Sequence, residues 1–336
     1  MRGSMAAPSP LATVPARSIQ LKRVMRGLAV AVAVCALATQ VRPALGQATE
    51  KAPAVDNAAV ESALDQLRSN EVSEVESGRD SLVAMATGVG KSNKEFVTSL
   101  AKATLPSLKK LVDSGSPFQS INALTVAASL STFDGAKLVI GALDPRSEKR
   151  VGVRIAAATL LEEHIRDIKL SESETGSVAR GIADGAARET SPLVLSDELV
   201  ALTTLVDPEQ ADRRANVEVL KALAISIQGT AGLLEGKDQS PELAAGALAG
   251  LNAFRVAVNR ASAAFYAVCG EHLNGSLTEL EAAAKAAGAR ASQGAGAESR
   301  EAKACVELAD RCASMRDSLF KTNARGAKAG SGGRGR

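Results

Sequence analysis

Cys269, His272, Cys305 and Cys312 are the densest group of nucleophilic and metal-ligating side chains in this sequence. Thiolates and imidazoles are the ligands that zinc takes four at a time, so Cys269-x-x-His272 with the two later cysteines is the candidate metal set. Cys305 and Cys312 share a helix face about 10.5 Å apart along the axis. That separation is beyond the reach of a disulfide, and it suits a single tetrahedral ion poorly. An internal bridge would therefore join Cys269 to Cys305 or to Cys312, stapling two helices and leaving one thiol over. Three readings stand side by side: one bridge, three buried unpaired cysteines, or a metal site.

Other chemistry has less to build on. The sequence contains two histidines, His164 and His272. Neither lies near a nucleophile-elbow serine or in a His-Glu-x-x-His zinc helix. His164 sits among Glu162, Glu163 and Asp167, as a helix-end histidine among solvated carboxylates does. Gly88-Val89-Gly90-Lys91-Ser92 resembles the end of a phosphate loop, but Met85 stands where the first glycine belongs. Ser92 with Glu95 reads instead as a capping box opening the next helix. The sequence thus predicts no enzyme and no cofactor.

The elements that must position any site are helices. Ser116 precedes Pro117 and lies three residues before Gln119, so a capping hydroxyl, a proline at the first helical position and a reciprocal cap coincide. Phe118, Ile121, Leu124, Ala127 and Leu130 then recur at helical spacing. Asp134 is the expected cap of a helix carrying Leu138, Val139 and Leu143. Asp144-Pro145 is the expected start of a third, lined by Val151, Ile155, Ala158, Leu161 and Ile165, turning back on the second after about a dipeptide. Before these lie amphipathic helices over 57–68 and 72–87, and one carrying Phe96, Leu100 and Leu105. Ser-Pro or Asp-Pro starts recur at 116, 144, 191, 207 and 240, and a Gly- and Ala-rich helix spans 171–189. A polar boundary at 230–238 is followed by an Ala-rich helix from Ser240-Pro241 to about Asn274-Gly275. Ser276 with Glu279 caps a further helix to Ala287, and the last helix runs from Glu298 to Lys321.

Asp144-Pro145 followed by Val153-Arg154-Ile155-Ala156-Ala157-Ala158-Thr159-Leu160 resembles the second half of a HEAT repeat. Asp207-Pro208, followed by Arg214 to Leu223, is a poorer copy that lacks Val-Arg. The resemblance implies an all-α fold, an α-solenoid of degenerate HEAT-like helical hairpins, followed by an Ala-rich helical segment. It marks Asp144, Pro145, Val153, Arg154, Asp207 and Pro208 as signature positions, with the Asp and Arg set between neighbouring repeats. Such solenoids hold partners of many kinds, so the implied function is a scaffold for an unidentified protein. A self-assembling envelope component that uses the Ala-rich helices is the further alternative.

The ends of the chain differ in composition from the body. Residues 1–46 hold six Lys or Arg and no Asp or Glu, with an apolar run of eleven from Leu28 to Ala38. That run is short of the roughly 20 residues a spanning helix needs. Ala44-Leu45-Gly46 supplies small residues for cleavage before Gln47, as in a secretory leader. Translation could begin at Met1, Met5 or Met25, and an Arg-rich organelle transit peptide is the rival reading. The expected organisation is a leader over 1–46, a linker over 47–56, repeats over 57–230, a C-terminal hairpin or bundle over 240–321 and a basic tail over 322–336. The protein is expected to be exported, periplasmic or extracellular, with no stable membrane span. The whole chain carries +3, but removing the six cations of 1–46 and the five of 321–336 leaves −8 for residues 47–320. An acidic body with one Tyr and no Trp gives little support to nucleic-acid binding.

Overall fold

The computed structural model describes residues 54–88, 93–211, 213–236 and 241–321. The leader, most of the linker, Ser92, Ser240 and the tail from Thr322 lie outside them. Among the described residues the chain forms twelve α-helices and no strand. In chain order they are α1 (Asn57–Arg68), α2 (Val72–Thr87), α3 (Lys94–Ser114), α4 (Pro117–Ser129), α5 (Phe133–Gly141) and α6 (Val151–His164). Then follow α7 (Glu172–Ala186), α8 (Pro192–Thr204), α9 (Arg214–Glu235), α10 (Leu243–Ala257), α11 (Ala263–Ala295) and α12 (Arg300–Ser314). A 3-10 turn at Ile165–Asp167 follows α6, and a π-helical turn at Met315–Phe320 extends α12.

The packing order is that of a two-layer α-solenoid. Each odd helix pairs with the even helix after it, and each helix also packs on the one two places along. The odd helices α1, α3, α5, α7, α9 and α11 thus form one row, and the even helices form the other. No hairpin can cover its own apolar faces, so each one completes the core of its neighbours. The core between the rows is continuous from Val60 and Leu64 to Cys312 and Phe320. By length and composition α9 is apolar enough to cross a membrane, but half of its most apolar window is buried inside the fold. It packs there between α7 and α11.

Local signals explain most helix starts. The Ser116 hydroxyl accepts from the Gln119 N–H, and the Gln119 side chain accepts from the Ser116 N–H, a complete capping box with Pro117 in the first turn. The bounds of α1 and α2 coincide with those expected from periodicity. Elsewhere the starts move. Thr132, not Asp134, caps α5, and Asn93 caps α3 through the Phe96 N–H.

Both Asp-Pro pairs lie in turns ahead of their helices. The Asp144 carboxylate accepts from the Arg146 N–H, and its carbonyl accepts from Ser147 and Glu148. Its turn therefore occupies residues 142–150, and α6 opens only at Val151. The expected dipeptide connection was too short for that reason. After Asp207-Pro208 the Asn216 amide donates to the carbonyls of Asp207 and Gln210, and its oxygen accepts from the Asp207 N–H. That turn delays α9 to Arg214.

The C-terminal helices are also divided differently. α10 stops at Ala257, where the Tyr266 hydroxyl donates to the Val258 carbonyl at 2.6 Å and Ser262 caps the next helix. α11 then runs unbroken through Asn274, Gly275 and Gly288 to Ala295. Ser276 is buried inside it and does not act as a cap. α9 continues through buried Thr230 to Glu235, and the alternation of rows continues to α12.

Candidate functional site

Cys269, Cys305 and Cys312 are fully buried free thiols, with no bridge between Cys269 and either of the other two. Burial pushes the Cys269 thiol well up and raises Cys312 to about 12, so neither is a thiolate near neutrality. Cys305 is also raised by burial and turns its sulfur to the Pro241 carbonyl at 3.9 Å. His272 on α11 is half-buried, and no group of three or more His, Cys, Asp or Glu among the described residues is placed to hold a metal. What these cysteines do is pack: a Cβ on Gly288 of α11 would stand 3.1 Å from the Cys305 Cβ on α12.

Asp207 and Pro208 lie between α8 and α9, whereas Asp144, Pro145, Val153 and Arg154 lie along the opposite edge of the solenoid, where each odd helix turns into its even partner. There, successive turns are stitched together. The Gln119 amide, in the second hairpin, donates to the carbonyls of Arg68 and Ser69 in the first. Arg150, in the third, donates to Val112, Gly115 and the Ser120 hydroxyl of the second at 2.7–3.1 Å. Arg154 continues the series into the fourth hairpin. Its guanidinium makes a bidentate pair with Glu189 at 2.7 and 3.0 Å and also donates to the Glu148 carbonyl at 2.9 Å. The Glu189 carboxylate accepts in addition from the N–H groups of Thr190 and Ser191 at the start of α8.

The Arg of the Val-Arg pair thus joins two repeats. Asp144 pairs with Arg146 inside its own turn, and Val153 is a core residue of α6. Asp207 lies 3.7 Å from Arg213, which also reaches Glu172 at the other edge. Burial would raise the Glu148 carboxyl, but donors from Arg150 outweigh it and hold it below the usual range.

Sequence reasoning did not foresee Glu198. Its carboxyl on α8 is fully buried, with no hydrogen-bond partner for either oxygen. Burial, and then the neighbouring Glu189 charge, push it well above the ordinary carboxyl range, with Arg154 opposing. A Cβ on Gly185 of α7 would lie 2.8 Å from Glu198 Oε1, so the carboxyl sits directly against that helix.

The feature with room for a partner is a groove along α3. At 1.5 Å per residue α3 is about 32 Å long and α5 only about 14 Å. The short α5 therefore leaves the odd row open beside α3. The opening has a volume of about 1870 Å³ and reaches from the α4–α5 loop and the turn after α6 to Ser147–Arg150 at the far edge. Ala101, Leu105, Leu130 and Ala142 supply apolar lining, and Phe133 and Leu138 of α5 form the opposite wall. Lys94, Lys102 and Lys109 of α3 face Lys137 of α5 across it, with Lys149 and Lys169 at its ends. His164 also lines it. Ser131, in the loop at one end, holds φ 49°, the left-handed region that non-glycine residues seldom enter.

No family model matches the chain, and no curated protein matches it. Among solved structures it is similar to an engineered protein at 14% identity and a TM-score of 0.39, over 76% of this chain and 97% of that one. It is also similar to a designed armadillo repeat protein at 20% identity and a TM-score of 0.33, over 75% of this chain and 99% of that one. At these scores neither adds to what the order of the helices already fixes.

Proposed function

We propose that the chain is an exported, non-enzymatic helical-repeat scaffold that holds a protein partner in the α3–α5 groove. The groove carries the reading: about 1870 Å³ of lined space beside three successive odd-row helices exceeds the roughly 300–1,000 Å³ of a small-molecule pocket. The edge bonds of Gln119, Arg150 and Arg154 support it, because they fix the spacing of the hairpins that frame the opening. The absence of catalysis rests on a sequence with no nucleophile–base motif, and on buried thiols held in their neutral form. Export rests on the acid-free, apolar-cored leader with small residues before Gln47.

Affinity capture from the native envelope tests the scaffold, with the wild-type chain compared against Lys102→Glu/Lys137→Glu. A partner retained by the first and lost from the second is expected, and identical captured sets would contradict the reading. N-terminal sequencing of the same material is expected to begin at Gln47.

A further inference from the structure

We propose that the α3–α5 groove takes an acidic segment of a partner protein, with carboxylates spaced between apolar side chains. This deepens the preceding proposal and depends on it. The lysines carry the inference. Lys94, Lys102 and Lys169 make no ion pair with a described residue. Lys137 lies 5.4 Å over the Phe133 ring and has no carboxylate.

Acidic side chains line the groove as well, but two of the five are ion-paired within the fold. Asp113 takes Lys109 and Glu148 takes Arg150, whereas Glu174 closes the cap of α7 through the neutral Ser171 and keeps its charge, with Lys94 nearby. Asp134 and Asp167 have no such partner, and Lys149 donates only to the Pro145 carbonyl, so the charge outside ion pairs is five cations against three anions. A net cationic groove on a body of net charge −8 is a local reversal of sign. Interfaces use such reversals to select and steer partners.

Spacing and floor restrict the ligand further. Lys94 to Lys109 spans about 22 Å along α3, which an extended chain covers in about seven residues at 3.3 Å each. Leu105, Phe133 and Leu138 line the groove between the charges, so a uniformly acidic strand would leave them uncovered. The left-handed Ser131 just past the end of α4 lies at one end of the groove, a backbone conformation of the kind that clusters at ligand clamps.

The chain's own remaining segments do not fit. Residues 1–53 carry seven Lys or Arg against Glu50 alone, and residues 322–336 carry four with no acid. Both would be repelled by the lysines.

Selection of a random twelve-residue peptide library on the immobilised full chain tests this, with fluorescence anisotropy of the enriched peptides. Enriched peptides are expected to be net negative with apolar residues interspersed. They should bind at least tenfold more weakly to Lys102→Glu/Lys137→Glu, to lose as much when their Asp and Glu become Asn and Gln, and to weaken with added salt. Arg300→Glu, at an exposed cation at the start of α12 with no ion pair among the described residues, should bind as wild type does, and equal thermal melts of all three chains exclude misfolding as the cause of any loss.

Neutral or basic peptides that still depend on Lys102 and Lys137 would overturn the acidic assignment and leave the scaffold reading standing. Peptides indifferent to both lysines, together with an unchanged captured set, would overturn both. Vesicles of phosphatidylglycerol that bind wild type but not the variant, in the absence of any acidic binder, would put a membrane in place of the partner and overturn the proposal.

Discussion

Replacing Arg154 with methionine should break the joint between the third and fourth hairpins. Both members of the Arg154–Glu189 pair are buried, with side-chain exposures of 4% and 0%. Each of the two charge-assisted bonds contributes about 1.5–3 kcal/mol, and the bond to the Glu148 carbonyl adds about 1. Methionine keeps much of the apolar stem but strands the Glu189 carboxylate, which retains only the N–H groups of Thr190 and Ser191. Breaking a buried pair from one side costs about 3–5 kcal/mol, and that is the expected loss in urea unfolding followed by circular dichroism at pH 7. Glu189→Gln removes the stranded charge yet keeps an acceptor for the two N–H groups. Arg154→Met/Glu189→Gln should therefore recover about 2 kcal/mol or more relative to the sum of the single changes. Because the bond lies between repeats, Arg154→Met should also broaden the transition or split it in two, as weakened coupling does in a linear array. A loss below about 1 kcal/mol, or strictly additive single and double variants, would refute the joint.

Two further predictions concern the same core. Glu198 has a folded-state pKa raised above its ordinary value of 4.5, so the folded protein binds a proton that the unfolded chain gives up. Stability should fall as pH rises through the window above about 4.5, by up to about 1.4 kcal/mol per unit. Glu198→Gln should flatten that slope and stabilise the protein at pH 7, and an unchanged slope in a pH series of urea melts would show that another group sets it. On α9, a Cβ at Gly229 would stand 2.4 Å from the backbone of Ala187, whereas one at Gly232 meets nothing within 4 Å. Gly229→Ala should cost about 2 kcal/mol or more by overpacking, and Gly232→Ala should gain about 0.5–1 by helix propensity. Equal effects in thermal melts would contradict the close approach of α7 and α9.

The parts of this fold legible in the sequence are those that local chemistry decides. Ser116, Pro117 and Gln119 define a helix start with their own side chains, and α1 and α2 are bounded by short polar breaks. Asp144-Pro145 and Asp207-Pro208 announce chain reversals, but the turns they build consume residues before the helix begins. Gly275 and Gly288 suggested breaks that tertiary packing overrides, because Leu273, Leu277 and Leu280 of α11 bury on both sides of Gly275. A helical glycine costs only about 1 kcal/mol, less than those leucines return.

The Arg154–Glu189 pair joins residues 35 apart in sequence, so the HEAT-like pattern marks its arginine but not its acid. Glu198 looks like any charged helix residue until the α7 glycine opposite it is known. The groove depends on the lengths of α3 and α5 and on which helices stack. Its one sequence signal is the polar run Lys94, Thr98, Lys102 and Lys109 on a single face of α3.

Occupancy of the α3–α5 groove in the working protein separates a scaffold from an idle surface. A photoreactive benzoylphenylalanine placed at Lys102, or at Lys285 on α11 as the comparison, and irradiated in intact native cells reads that occupancy. The prediction is a single covalent adduct from position 102 that is absent from position 285, with its crosslinked peptide rich in Asp and Glu. No adduct from position 102, or equal adducts from both, would contradict it.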